Sequence, residues 1–156
     1  LNAELMWDCS QDVEKLIDDY FNVVHREAPA PMRKYFNSYC DWYNYAAEVN
    51  SFEGEWTITG SQTINSTFFP LGVLQEWLGL INEAYSAIAV YEQTDLATYE
   101  RLYDAICLES ISPRYLLTEI HSGSYSEEDF AAMQESLNND ITRLGITALG
   151  EGGGRW

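Results

Sequence analysis

Two glutamates lie close enough in the sequence to suggest acid–base chemistry. Glu53 and Glu55 flank a glycine and directly precede Trp56. Glycoside hydrolysis needs an acid and a base or nucleophile placed across the scissile bond. Residues two apart in a strand, however, point to the same face, and a chain with 25 acidic residues produces such pairs by chance. A self-sufficient enzyme is therefore a rival hypothesis, which predicts turnover by these 156 residues alone.

Cysteine and histidine do not follow the spacing of a catalytic or metal site. Cys9, Cys40 and Cys107 are far apart, and their odd number excludes a fully paired disulfide framework. His25 and His121 stand alone, outside HExxH or another ligand spacing. The sequence also lacks a nucleophile elbow and a glycine-rich phosphate loop. We therefore predict no catalytic residue, no metal and no cofactor, and we expect the thiols to be inert core residues.

Aromatic residues are the better candidates for a functional site. Trp42 lies off the main apolar stripe of its predicted helix, and Trp7 and Trp56 lie outside regular helix. Aromatic faces stack on sugar rings or anchor protein interfaces. Together with the neighbouring Asp8 and Glu55 they form our candidate carbohydrate-binding or interface residues. The alternative is that Trp7 and Trp56 pack over the ends of the fold.

Apolar residues recur with helical spacing through most of the chain and predict the elements that would position these candidates. Ser10, Asp95 and Ser126 are expected N-caps, and Gly145 is an expected C-cap. Pro113 is expected to kink or break the fourth helix. The predicted helices cover 10–28, 31–50, a segment from 70, a segment from 95, and 126–145. Five amphipathic helices with short connections predict an all-α antiparallel bundle that forms a single domain over residues 1–156.

The region 52–67 differs from the helical segments around it. Trp56, Ile58 and the nearby threonines favour strand, and Gly60-Ser61 fits a two-residue turn. The sequence leaves open whether this insertion is a short β-hairpin or an irregular ordered loop.

The charge balance excludes some classes of partner. Eight basic residues face 25 acidic ones, which gives a formal charge of −17. Such a surface repels phosphate backbones and anionic lipid headgroups, so we expect neither nucleic-acid binding nor membrane-surface binding. No apolar run approaches the roughly 18 residues of a membrane span. The acidic surface either engages a basic partner or simply keeps the bundle in solution.

Several runs of residues resemble a known family. The runs are Leu5-Met6-Trp7-Asp8, the stretches 11–21 and 28–35, Ser112-Pro113-Arg114-Tyr115-Leu116, and the stretch 145–152. They are similar to the helical region that follows the catalytic-type barrel in a bacterial domain-of-unknown-function family. That family is related to glycoside hydrolases, looks like a distant relative of alpha-glucuronidases, and is typical of polysaccharide-degrading bacteria.

The resemblance implies that this chain is a fragment that follows an absent (β/α) barrel. The barrel would carry the catalytic carboxylates, and the helical domain would support the barrel, its active-site rim or dimerisation. Trp7 and Asp8 would then lie at the interface or the substrate rim. The implied partners are the N-terminal barrel of the same polypeptide, carbohydrate and a second copy, and the implied location is periplasmic or secreted.

Two interpretations of function follow. The main one is a non-catalytic helical accessory domain of a carbohydrate-active, glycoside-hydrolase-like protein. It predicts an exposed apolar patch near Trp7 and the C-terminal tail. The alternative is a free-standing acidic protein-interaction bundle, which predicts a basic partner and salt-sensitive affinity.

Overall fold

The protein forms the predicted helical bundle. A computed structural model describes residues 8, 10–50 and 64–147. The five helices of this part are α1 (Val13–Val24), α2 (Pro29–Asn50), α3 (Leu71–Ile88), α4 (Leu96–Ile120) and α5 (Glu127–Arg143). Short 3₁₀ turns follow α3 and α4, at Ala89–Tyr91 and Ser122–Ser124. Each helix from α2 to α5 packs against the helix that precedes it in the chain.

The insertion at 52–67, expected as a short β-hairpin or an irregular ordered loop, falls mostly on residues 51–63, which lie outside the described part of the chain. Residues 64–69 form turns and bends, without strand pairing in the described residues. The Asn65 side chain accepts hydrogen bonds from the backbone N–H groups of Thr67 and Phe68, as in an Asx turn. This turn leads the chain into α3.

Local side-chain chemistry sets the helix ends, and one predicted cap is wrong. Asp95 caps α4 and Ser126 caps α5, as predicted. The first helix is capped by Asp12 rather than Ser10, because the Asp12 carboxylate accepts hydrogen bonds from the backbone N–H groups of Glu14 and Lys15. The helix ends at Val24, which is earlier than predicted, and the chain then turns sharply before α2.

Of the kink or break expected at Pro113, the break does not occur. Helix α4 runs without interruption from Leu96 to Ile120. Proline removes the N–H that would bond the carbonyl of Glu109, four residues earlier. The Tyr35 hydroxyl of α2 donates to that Glu109 carbonyl at 3.3 Å. A donor from a neighbouring helix thus replaces the missing backbone donor, and the helix continues.

Helix α3 lies at the centre of the main core. Its inward residues are buried, and the Trp77 indole N–H donates to the Ser38 hydroxyl of α2 at 3.1 Å. Cys107 is buried and Cys40 is partly buried, and both are free thiols. Cys9 lies outside the described residues. The core is formed mainly by Phe21, Met32, Tyr35, Leu74, Trp77, Ile81, Ile88, Leu102, Ile106 and Leu116.

A smaller apolar cluster and an ion-pair network join α5 to α4. Ile111 of α4 packs with Leu137 and Ile141 of α5. Beside them Arg114 bonds the Asp140 carboxylate at 2.6 Å, and Arg143 reaches it at 3.2 Å. Burial alone would raise the pKa of Asp140, but these two guanidinium groups hold it below its usual value.

None of the helices in the described part of the chain has both the length and the apolar character needed to cross a bilayer.

Candidate functional site

Three of the five predicted site residues, Trp7, Glu55 and Trp56, lie outside the described part of the chain. Asp8 is described and is exposed. It accepts hydrogen bonds from the Ser10 hydroxyl at 2.6 Å and from the Ser10 N–H at 3.0 Å, which lower its pKa. Its observed contacts are therefore those of a turn residue that leads into α1.

Trp42 is partly buried and serves packing on at least one side. Its indole N–H donates to the carbonyl of Phe68 at 2.7 Å, which holds the turn before α3 against α2. Its ring lies 5.3 Å, centroid to centroid, from the exposed ring of Tyr45. Neither Asp8 nor Trp42 lines the apolar groove described below. The structure does not bring these two candidates together there.

An apolar groove of about 960 Å³ lies between α1 and α4. We call it the α1/α4 groove. Its size lies at the upper end of the range for ligand pockets. The buried side chains of α2 form its floor, and α1 and α4 form its walls. The apolar lining consists of Leu16, Ile17, Tyr20, Phe21, Val23 and Val24 from α1, Met32, Tyr35, Phe36 and Tyr39 from α2, and Leu108 from α4.

The walls of the groove expose large apolar side chains. Val23 is 72% exposed, Leu108 is 55% exposed and Tyr20 is 49% exposed. The apolar residues of α1 are therefore divided between two environments. Phe21 faces the core, whereas the neighbouring Tyr20 is half exposed to solvent. Exposed apolar patches of this kind mark interaction surfaces in soluble proteins.

Ion pairs and aromatic packing hold α1 in position beside the groove. The Arg33 guanidinium of α2 lies over the rings of Phe21 and Phe36, at 6.0 and 5.7 Å from their centroids. It also bonds Asp18 at 3.0 Å and Glu14, one turn apart on α1. One α2 side chain thus clamps the helix that forms a groove wall.

The groove carries one charge that no counter-charge balances. Lys15 and Asp19 line one wall and pair with each other at 3.4 Å. Glu109 lines the opposite wall, and its carboxylate has no hydrogen-bond or ion-pair partner in the described part of the chain. Burial raises its pKa. Its charge in turn adds to the burial that raises the pKa of Tyr20 on the facing wall.

His25 lies directly after α1 and is fully buried. Neither ring nitrogen has a hydrogen-bond partner among the residues that the structure describes. The ring stacks on Phe21, with centroids 5.4 Å apart and planes 23° apart. Burial lowers the pKa of His25 to about 4, so the ring is neutral at pH 7.

The titratable groups outside the groove do not resemble a catalytic set. Burial raises the pKa of the Cys40 and Cys107 thiols, whereas a nucleophilic cysteine needs a lowered pKa. No group of three histidine, cysteine or acidic side chains comes together as metal ligands would in the residues that the structure describes. The exposed apolar walls of the groove suit an apolar partner, and the Glu109 carboxylate suits a positively charged group.

Comparison of the chain with protein-family models, with curated proteins and with solved structures found no match. The resemblance to the helical region of the glycoside-hydrolase-related family therefore stays a prediction. The groove was not predicted from the sequence. One signal for it was present: Val23 adds an apolar residue beside an already wide stripe on a helix of only 12 residues.

Proposed function

We propose that this chain is a non-catalytic helical accessory domain of a carbohydrate-active, glycoside-hydrolase-like protein, and that it docks through the α1/α4 groove. The observation that carries the proposal is the apolar groove itself, with the side chains of Tyr20, Val23 and Leu108 exposed on its walls. Fully burying an exposed valine or leucine side chain contributes roughly 1.5 to 3 kcal/mol, and covering the exposed part of Val23 and Leu108 would contribute a share of this. Covering the groove is therefore favourable.

The sequence resemblance suggests what covers it. In that family the helical region follows a (β/α) barrel, and such a barrel carries an outer ring of helices. Helices pack well in a groove between two other helices. The accessory domain would support the barrel, its active-site rim or dimerisation. Contact with carbohydrate by Trp7, Asp8, Trp42, Glu55 and Trp56 stays a prediction of the same hypothesis.

The alternative function is a free-standing acidic protein-interaction bundle. The formal charge of −17 favours it, because such a field attracts basic partners. It would use the same groove. The two functions differ in whether the partner belongs to the same polypeptide.

The size of the native polypeptide tests the proposal. An antibody raised against this domain is used to probe source cells by immunoblot, and the captured band is mapped by mass spectrometry. A band several-fold above 17.8 kDa that contains a barrel sequence supports the accessory domain. A band near 17.8 kDa without upstream peptides, in cells lysed under protease inhibition, contradicts it and leaves the interaction bundle.

Groove substitutions test the mode of docking. If the long polypeptide is found, its barrel and helical parts are expressed as separate chains and tested for association. Val23→Asp and Leu108→Asp should abolish association, because each places a charge on an apolar wall. Val90→Asp is the matched control, since Val90 is 62% exposed but lies outside the groove. Equal association of all three variants would show that docking occurs elsewhere.

A further inference from the structure

We infer that the partner of the α1/α4 groove is an amphipathic helix that carries one lysine or arginine positioned to pair with Glu109. This inference rests on the proposed function only in that the groove is a docking surface. It goes further by naming the shape and the charge of what docks.

The walls of the groove favour a helix over an extended segment. Both walls and the floor are α-helices, whose backbone groups are bonded within each helix or, for the Glu109 carbonyl, by the Tyr35 hydroxyl. An extended peptide would bring N–H and C=O groups into an apolar groove that offers no strand edge to pair with them. A helix satisfies its own backbone and presents only side chains. Helix α1 has 12 residues and is therefore about 18 Å long, which matches a partner of three to four turns.

The charges along the groove specify the partner's charge. The charged lining residues are Lys15, Asp19 and Glu109, and the first two neutralise each other. A partly buried carboxylate without a counter-charge is unfavourable, as the raised pKa of Glu109 reflects. A partner cation would supply the missing charge.

The surroundings of Glu109 suit a cation in particular. Tyr20 and Tyr35 line the same groove, and the pKa of both hydroxyls is raised by burial and, next, by the charge of Glu109. A lysine or arginine that reaches the carboxylate would enter a groove that is also lined by aromatic rings, whose faces attract cations. An acidic helix would meet both Glu109 and the field of a chain with a formal charge of −17.

The test selects binders from an unbiased set of helices. A displayed library of 16-residue helical peptides, randomised at surface positions, is selected on the folded chain at about physiological ionic strength. The enriched peptides should share an apolar stripe at i, i+3 or i+4, and i+7, with one basic residue at a fixed position beside it. Glu109→Gln should weaken their binding by roughly 10- to 100-fold, as expected for loss of a charge-assisted pair.

Two further variants separate a binding role of Glu109 from a structural one. Glu109→Lys should bind poorly to the selected peptides but should recover binding to peptides in which the shared basic residue is replaced by glutamate. Glu100→Gln, which removes an exposed acid of α4 outside the groove, should change affinity by less than about threefold, as expected of a screened surface charge. Glu109→Gln should also unfold no more easily than wild type, so its loss of binding cannot come from misfolding.

The possible failures are distinct from those of the proposed function. Enriched peptides without a fixed basic residue, or equal binding by wild type and Glu109→Gln, would overturn the charge pairing. Selection of extended or acidic binders, or binders insensitive to Val23→Asp, would overturn the helix-in-groove inference as a whole. A small native polypeptide on the immunoblot would remove the barrel as the partner but would leave this inference intact.

Discussion

At the scale of single residues, His25 makes the protein sensitive to acid. Its ring is buried against Phe21 and has no hydrogen-bond partner in the described part of the chain, so the folded state disfavours the charged imidazolium. The pKa of His25 is about 4 in the folded protein, against 6.5 for an ordinary histidine. Between these values the unfolded chain binds the proton and the folded chain does not. Protonation of His25 therefore costs the fold nothing above pH 6.5. As the pH falls from 6.5 towards 4, the free energy of unfolding decreases.

Replacement of His25 by phenylalanine should remove this acid sensitivity. A shift of this size corresponds to about 3 kcal/mol of stability lost by wild type across the interval. His25→Phe keeps a ring that can stack on Phe21 and should lose much less. Urea unfolding at several pH values from 7 to 4 measures the difference. Val24→Ala is the control, because it weakens packing without changing a titratable group, so its curve should run parallel to that of wild type.

Glu109 has the opposite dependence on pH. Burial raises its pKa above the ordinary 4.5, so ionisation costs stability in the folded state. Glu109→Gln should therefore be more stable than wild type at pH 7. The advantage should shrink as the pH falls through the raised pKa, and it should vanish below 4.5, where both states of wild type are protonated. An advantage in urea unfolding that persisted at pH 3.5 would contradict this assignment.

At the scale of elements, a side chain from another helix lets α4 continue through Pro113. The Tyr35 hydroxyl donates to the Glu109 carbonyl that proline leaves without its usual donor. Tyr35→Phe should cost roughly 1 to 3 kcal/mol, the penalty for a buried acceptor without a partner. Thermal unfolding of Tyr45→Phe, an exposed tyrosine of α2, provides the control and should differ little from wild type.

A double-mutant cycle tests this explanation directly. Pro113→Ala restores the backbone N–H that can reach the Glu109 carbonyl. In that background, Tyr35→Phe should cost clearly less than it does in wild type, because the carbonyl has regained a donor. Equal costs in the two backgrounds would mean that Tyr35 stabilises the fold through packing alone.

The end of α5 depends on a left-handed glycine. Gly145 has φ +67, and the N–H groups of Gly145 and Ile146 donate to the carbonyls of Thr142 and Ile141, which is the Schellman pattern. Gly145→Ala should cost about 1 to 2 kcal/mol, the strain of a side chain in this conformation. A Cβ at either Gly145 or Gly123 meets open space, and Gly123 lacks a positive φ. Gly123→Ala is therefore the matched control in thermal unfolding.

Elements with local causes were predictable from the sequence, and long-range features were not. The caps Asp95 and Ser126 and the glycine at 145 were correct, because each acts within its own turn. Ser10 was wrong because Asp12, two residues later, offers its carboxylate to the first free N–H groups of α1. The continuity of α4 depends on a donor 74 residues away, which no local pattern reveals.

The candidate site was less predictable than the fold for the same reason. Trp42 looked like an exposed aromatic residue, but its indole bonds a carbonyl 26 residues further along the chain. The groove exists because α1 packs on α2 and leaves one flank facing α4. That gap is a property of three helices together. Sequence periodicity identified the apolar residues of α1 but not which of them lack a partner.

At the scale of the whole molecule, self-repulsion should dominate the response to salt. The ion pairs of Arg33, Arg114 and Arg143 lose strength when screened, but they involve few of the 25 acidic residues. Moderate salt should therefore raise the melting temperature, because screening relieves more repulsion than it weakens attraction. Thermal unfolding from 0.02 to 0.3 M NaCl, a range over which the screening length falls several-fold, measures this.

A triple variant with Glu48, Glu83 and Glu92 changed to glutamine removes exposed charges and should respond less to salt. A melting temperature that falls with salt would show instead that the ion pairs outweigh the repulsion, and that the acidic surface is not a net cost to the fold.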